Sequence, residues 1–585
     1  MGGACSRKRD QSEQETDDGQ GSRSGRLSRS ISLRWPVKAS KGVESLASQG
    51  SGAHGARTPP SLLEISVRQI VKNIRQYKTF AGVPRDLIQQ VLDELVKKQL
   101  LSPASLELFS DCSLQDVLLA DYPGVEDSWL EIIGSQGESL LALDISTSSV
   151  SDEGLASLES CTNLQSLNLN SCDLISDEGL TVLTGLSNLT TLSLRSNNLI
   201  TAAGMRHFTN LVNLKCLDLE RCPLIQGGFV YLKGLTTLEK LNVGWCIGVR
   251  NSDIKHLAGL VNLEELQISR SKVNDSGIAS LKGLTKLRSL SMEGCPVTAH
   301  SMESVAGLTD LWHLNINSCY LPDSGCQKLE GLVNLRTLNL GYNNLTNSGM
   351  VFLKGLTNLE RLNLDSCKVS DEGIEHVKGL ANLRMLDLSD SDIGNDGLRF
   401  LTGLKKLESL NLSFTGGVLD SGLRTIATIT SLTSLNLDSK QITDTGLAAL
   451  TSLTGLKTLD LFGARITDYG MTCLRHFKKL QSLELCGGGI TDTGVSKIKD
   501  LTSLTSLNLS QNLRITDNAL QYLSGMKNLV SLNLANSRVT NAGLQHLRPL
   551  TSLTSLALQG CKVSRLAVDH LQATSLPNLA VIRLK

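Results

Sequence analysis

Three groups of residues in this 585-residue chain have types and spacings that could do chemistry. The first is the opening run Met1-Gly2-Gly3-Ala4-Cys5-Ser6-Arg7-Lys8-Arg9. It fits the pattern M-G-x-x-x-S, in which removal of methionine exposes Gly2 for N-myristoylation. Cys5 is placed for palmitoylation, and Arg7, Lys8 and Arg9 can contact anionic lipid. One myristoyl chain holds a protein at a membrane only marginally, whereas a second chain or a basic cluster makes the attachment stable. The run offers both. Gly2 and Cys5 are therefore the candidate lipidation sites, and the expected location is cytoplasmic, peripheral at the inner face of the plasma membrane.

The second group is the fourteen cysteines. No C-x2-C pair occurs, which speaks against a metal site, and no secretory signal precedes them, which speaks against a disulfide framework. Seven of them (Cys172, Cys222, Cys246, Cys295, Cys319, Cys367 and Cys561) recur at one position of a repeat. The expectation is a buried ladder of reduced thiols roughly 5 Å apart, one strand spacing. The histidines add no catalytic setting: none pairs with a serine or cysteine as a nucleophile and base, and no glycine-rich phosphate loop occurs. No catalytic residue, metal or cofactor is expected, and the chain is read as not an enzyme.

The third group is Arg221, Lys240, Trp245, Glu265, Arg270, His313, Tyr342 and Arg361. Trp, Tyr and Arg are the types that dominate interface energetics. Their spacing follows a repeat whose frame is L-x-x-L-x-L-x-x-C/N/S, then V/I-T/S-D-x-G-L/I, then x-x-L-x-G-L-x-N, as in Leu359 to Asn382. Opening leucines run from Leu140 to Leu579 in nineteen copies, with steps of 24 or 25 residues and a last step of 26. This period and leucine spacing are the signature of a leucine-rich repeat solenoid.

The repeat says which elements position these residues. Leucines at positions 4 and 6 of the frame alternate with polar residues, as in a strand. The G-L-x-x-L half has helical spacing, and the Thr/Ser-Asp before it caps or charge-stabilises the helix start. Each copy is thus a strand, a turn and a helix, and only stacked copies bury their leucines. The expected fold is an α/β leucine-rich repeat solenoid, a horseshoe, with one parallel sheet on its concave face. Positions 3, 5, 7 and 8 face away from the core. Position 5 is mostly Asn or Asp, from Asn168 to Asn533, an expected structural ladder. Positions 3, 7 and 8 vary, and the eight residues above occupy them on copies four to ten, centred near Trp245, Arg270 and Tyr342. That stretch is the candidate partner-binding surface. From the copy at Leu432 to the copy at Leu553, position 3 is Ser or Thr (Ser434, Thr458, Ser482, Ser506, Ser531 and Ser555).

Outside the repeats, residues 1–60 are rich in Ser, Gly and Arg, poor in large apolar residues, and expected to be disordered. Within them Arg23 to Ser32 alternates Arg and Ser, and phosphorylation there would weaken membrane contact. Residues 61–139 read as helical. Ser61 to Ile74 and Val83 to Leu95 have apolar residues at helical spacing, with Pro84 at the start of the second helix. This unit is expected to cap the solenoid. Residues 140–585 then hold about 18 repeats and a terminal strand. Formal net charge is zero, which gives no electrostatic case for nucleic acid, and no apolar run reaches membrane-spanning length.

Resemblances to known families extend the reading. Val83-Pro84-x-x-Leu87-Ile88-x-x-Val91-Leu92-x-x-Leu95 is similar to the L-P-x-x-L-L-x-x-I-F-x-x-L opening of F-box domains, with Val83 in place of the first Leu. Ser61-Leu62-x-x-x-Ser66-x-x-x-Ile70 looks like the S-L-x-x-x-C-x-x-x-I box that binds elongin-type adaptors, with Ser66 in place of Cys. The I-T-D-x-G-L phrase and the cysteine ladder resemble the cysteine-containing, ribonuclease-inhibitor-like class of leucine-rich repeats. With the N-terminal run, the chain resembles plant F-box/LRR-like proteins. The resemblance implies a substrate-recognition subunit of an SCF-type cullin ubiquitin ligase, with Pro84, Leu87, Ile88, Val91, Leu92 and Leu95 contacting a Skp- or elongin-type adaptor. The alternative is a membrane-tethered signalling scaffold in which residues 61–139 only cap the array.

Overall fold

A computed structural model describes residues 61–584. The expected lipidation and membrane-contact residues Gly2, Cys5, Arg7, Lys8 and Arg9, and the tail to residue 60, lie outside the described residues. The described part is an α/β leucine-rich repeat solenoid built on a single parallel sheet of 20 strands. Each strand pairs with the next in sequence, beginning with β1 (Asp116–Leu118) on β2 (Ala142–Asp144) and ending on β20 (Val581–Arg583). The strands are three residues long and hold frame positions 3 to 5, so Leu338 sits beside Leu362 and Leu362 beside Leu386.

The core follows from the frame. In the copy that opens at Leu359, Leu359, Leu362 and Leu364 are at most 2 % exposed. Burying three leucines is worth about 5–9 kcal/mol gross, and none of it is available to a lone copy, because the flanking copies supply the cover. Six of the seven cysteines at the expected ladder position are buried, Cys561 is half-buried, and the position does more than pack. Cys222 Sγ donates to the Leu194 carbonyl at 3.1 Å, and Cys319 Sγ to the Met292 carbonyl at 3.2 Å, each one copy upstream. Asn343, at the same position, donates to the Ile316 carbonyl at 2.8 Å and accepts from the Cys319 N–H. The column thus pairs buried main-chain groups that would otherwise be costly to leave unmet. No disulfide links the cysteines among the described residues.

The Thr/Ser-Asp-x-Gly phrase is a clasp between copies. Thr443 caps its helix by accepting the Thr445 N–H at 3.2 Å. It also donates its N–H and Oγ1 to the two carboxylate oxygens of Asp420, one copy upstream, at 2.9 and 2.5 Å. Asp444 holds Thr467 of the following copy in the same way, at 2.8 and 2.5 Å. The glycine makes room for this: a Cβ on Gly446 would stand 2.3 Å from Asp420 Oδ1.

The sheet begins one strand before the boundary set at residue 140. Leu114, Val117 and Leu119 are buried and take frame positions 1, 4 and 6 of an additional first copy. The helical cap is thus shorter than residues 61–139, and β1 forms the first edge of the sheet. Helix α2 (Arg85–Lys97) covers that edge, and α1 (Leu62–Lys72) packs on α2. Gln89 on α2 accepts the Asp116 N–H at 3.3 Å and donates to its carbonyl at 2.6 Å, so a side chain completes the ladder where a strand is missing.

The cap consumes residues expected to meet an adaptor. Ile88, Val91, Leu92 and Leu95 are at most 1 % exposed and join the core that runs into the solenoid. They offer no surface to another protein in this fold, because the apolar stripe of α2 is what seals the array. Of the six adaptor candidates, Pro84 is exposed and Leu87 half-buried. The exposed apolar residues of the cap include Leu62, Leu63 and Ile65 at the start of α1, with Tyr77 and Leu100 elsewhere.

Candidate functional site

Concave-face residues stand in rows set by the frame. Position 8, just past each strand, has a left-handed backbone in nearly every copy. Glycine takes this conformation freely, as Gly294, Gly463, Gly487 and Gly560 do here, and Ser, Asn or Asp occupies six other copies. Arg221, Trp245, Arg270, Tyr342 and Phe414 hold the same conformation at φ 60, 61, 58, 55 and 59°. A bulky side chain in that region costs about 1–2 kcal/mol. Strain of this kind concentrates at binding surfaces.

Three of these residues form a stack. The Trp245 ring lies between two guanidinium groups, with Arg221 Cζ 5.3 Å and Arg270 Cζ 5.4 Å from its centroid. Each arginine is also paired: Arg221 with Glu220 at 3.7 Å, and Arg270 with Glu293 at 3.3 Å. Glu220 additionally binds Arg195 at 3.2 Å. These pairs hold the guanidinium planes against the indole while Trp245 stays 44 % exposed.

Position 3 forms a second row. Lys240 pairs with Glu265, and His313 follows two copies on. Burial and the neighbouring Arg361 cation push the imidazole of His313 down to about 4. Arg361 is exposed and makes no ion pair among the described residues. Between the rows, the position-5 asparagines act as turn supports: Asn339 Oδ1 accepts the Gly341 N–H at 3.2 Å, and Asn363 Oδ1 accepts the Asp365 N–H at 2.8 Å. Some also bridge copies, as Asn315 does to Glu293 at 3.2 Å.

A cavity of ≈ 330 Å³ lies along this face. Trp245, Glu293, His313 and Arg361 line it together with the asparagine row, and it extends past copy ten to Met385, Ser409 and Asn411. Of the eight partner-binding candidates, Trp245, His313 and Arg361 thus share one cavity. Arg221 and Arg270 flank its aromatic wall, and the Lys240–Glu265 pair stands on the position-3 side. Tyr342 is 52 % exposed farther along the position-8 row, where burial and the Asp365 carboxylate raise its phenol. Burial, then the Asp387 charge, raises Asp365 in turn.

Two features escaped the sequence reading. Gly244 and Gly341 are the glycines at position 7, where other copies carry side chains, and Gly244 lines the cavity. Their exceptional place in the frame is the signal that could have found them. Met385, the large apolar residue at position 3 beyond copy ten, is the signal for the cavity's far end.

The family described as a leucine-rich repeat region matches residues 323–585, and a second leucine-rich repeat family matches residues 160–183 and 185–208. No curated protein matches the sequence. Among solved structures, an internalin from Listeria monocytogenes is 28% identical, with a TM-score of 0.47, over 56% of this chain and 88% of its own. The mouse RP105/MD-1 complex is 17% identical, with a TM-score of 0.48, over 82% of this chain and 84% of its own. A Leptospira interrogans leucine-rich repeat protein is 19% identical, with a TM-score of 0.35, over 84% of this chain and 98% of its own. Frame, sheet and family matches agree: the chain is a leucine-rich repeat protein.

Proposed function

We propose that this chain is a non-enzymatic protein-interaction module that captures a protein partner on the concave face of copies four to twelve. The observation that carries this is the Arg221–Trp245–Arg270 stack, exposed at the wall of the cavity and held in a strained backbone conformation that four copies relieve with glycine. Replacing Trp245 and Tyr342 with alanine tests it. Partner capture should weaken by about 2–4 kcal/mol. Capture that survives this pair but is lost on changing copies thirteen to eighteen reverses the assignment.

We further propose the partner to be the substrate of a cullin ubiquitin ligase, with this chain as the recognition subunit. The F-box-like and elongin-box-like patterns support it. With α2 spent on sealing the sheet, adaptor contact in this reading falls on Leu62, Leu63 and Ile65 of α1. The burial of Ile88, Val91, Leu92 and Leu95 favours the second reading, a membrane-tethered scaffold whose helices only cap the array. Both readings place the chain at the inner face of the plasma membrane through acylated Gly2 and Cys5. Affinity purification of the intact chain against Leu62→Asp/Ile65→Asp separates the two. An adaptor and cullin recovered with the first and lost with the second support the ligase role, while their absence from both leaves the scaffold. For the tether, Gly2→Ala should move the protein from membranes to the soluble fraction, and unchanged fractionation ends that proposal.

A further inference from the structure

One cation of the concave face is uncommitted. At positions 3, 7 and 8 of copies four to ten the cations are Arg221, Lys240, Arg270 and Arg361. The first three each hold a carboxylate: Glu220 at 3.7 Å, Glu265, and Glu293 at 3.3 Å. Arg361 is exposed and makes neither an ion pair nor a hydrogen bond among the described residues. Its neighbours on the cavity floor are further donors. Thr337 stands in register with it on the adjacent strand, and Asn339 and Asn363 lie two residues on along the same two strands. All four line the cavity. The Oδ1 atoms of the two asparagines accept the Gly341 and Asp365 N–H groups at 3.2 and 2.8 Å, which identifies Nδ2 as the other amide atom. Neither Nδ2 has an acceptor among the described residues.

The patch thus gathers a guanidinium, two amide N–H groups and a hydroxyl within about 5 by 7 Å, one strand spacing by two residues. A carboxylate, which only accepts, suits it. A single guanidinium balances one negative charge, and Asp387, in register with Asn363, disfavours a phosphate of nearly two. The cavity runs on past Arg361 to Met385, Ser409 and Asn411, so a bound segment has room to continue and the carboxylate belongs to a side chain rather than a chain end. Met385 stands in register with Arg361 and is 42 % exposed. Building on the proposed capture of a protein on this face, we propose that the patch binds the side-chain carboxylate of an Asp or Glu in the partner, with Arg361 as its counter-ion and Met385 packing against an apolar residue one or two places along. The copies of Trp245 and Arg361 are five strand spacings apart, roughly 24 Å, which about seven extended residues span.

The probe is a set of peptides selected from a random display library on the intact chain, and in parallel on its Arg361→Glu variant, then synthesised with amidated C-termini. The first set should share an Asp or Glu beside a large apolar residue, and the second a Lys or Arg at that place. Changing the acid to its amide should weaken binding to the unaltered chain at least about tenfold, a loss of about 1.4 kcal/mol, and change nothing in Arg361→Ala. The peptide change tests the patch without touching the fold. Peptides that Trp245→Ala weakens, yet that share no acid or ignore Arg361→Ala, overturn the carboxylate subsite and leave capture on this face standing. Peptides indifferent to Trp245→Ala, Tyr342→Ala and Arg361→Ala overturn both. Binding that needs a free C-terminus, or that tightens when phosphoserine replaces the acid, overturns the side-chain carboxylate. Failure to select any peptide overturns the subsite as well.

Discussion

Removing one clasp should loosen the array on one side only. Asp444→Ala takes away the carboxylate that receives both the N–H and the Oγ1 of Thr467, at 2.8 and 2.5 Å. A hydrogen bond to a charged group is worth about 1.5–3 kcal/mol, and water can replace part of it at this exposed site, so the pair should contribute about 2–3 kcal/mol. In a solenoid this energy belongs to the contact between two neighbouring copies. Hydrogen exchange should therefore quicken about 30- to 100-fold in amides from Leu456 onward, while the copies before Leu311 keep their protection. Asp444→Asn is the internal control. Asn347, Asn395 and Asn541 stand at the same frame position and still accept the main-chain N–H of the next copy at 2.9–3.0 Å. That variant should lose about 1 kcal/mol, the hydroxyl bond alone. Equal effects of Ala and Asn refute the two-bond reading, and protection lost uniformly along the chain refutes the nearest-neighbour reasoning.

The remaining predictions concern titration, thiols and the stack. His313 has its pKa near 4 in the fold and about 6.5 unfolded, so the unfolded chain binds more protons between those values and stability falls as pH drops through them, by at most about 3 kcal/mol. Burial pushes Asp218 up to about 6 against about 3.9 unfolded, so there the fold binds more protons and stability rises as pH drops from 6 to 4 by a similar amount. The two offset each other; Asp218→Asn should steepen acid destabilisation and His313→Gln should reverse it, and thermal melts at pH 4–7 that match the unaltered chain contradict this. The thiols of Cys222 and Cys319 are pushed up to about 12 by burial, so iodoacetamide at pH 8 should spare both until denaturant is added, as peptide mass mapping would show. Trp245→Gly should relieve about 1 kcal/mol of backbone strain, measured by urea unfolding, while still weakening partner capture.

The leucines, the cysteine column and the aromatic and charged residues of copies four to ten were legible because each follows from position in a fixed frame. The contact partners were not. Alternation shows that Trp245 faces outward, yet not that Arg221 and Arg270, each in an adjacent copy, close on its ring. Helical spacing shows that α2 has an apolar stripe, and that stripe is equally suited to an adaptor and to the edge of a sheet. Gln89 decides the matter, and a lone glutamine in a helix carries no such signal. The strand at Asp116–Leu118 was hidden because its copy has Tyr122 at position 9 and Glu126-Asp127-Ser128-Trp129 in place of the Thr-Asp-x-Gly phrase, although Asp127 still clasps Ser151 of the next copy.

The two ends of the sheet differ. At one end α2 and Gln89 close the edge, while at the other Val581 of β20 and the nearby Leu566 are 44 % and 80 % exposed. Under tension such an array peels from its weaker end. Each released copy of 24 residues pays out about 80 Å of extended chain before the next clasp bears the load. A molecule pulled by its two ends would lengthen in steps of that size, giving up its C-terminal copies before the Trp245 wall.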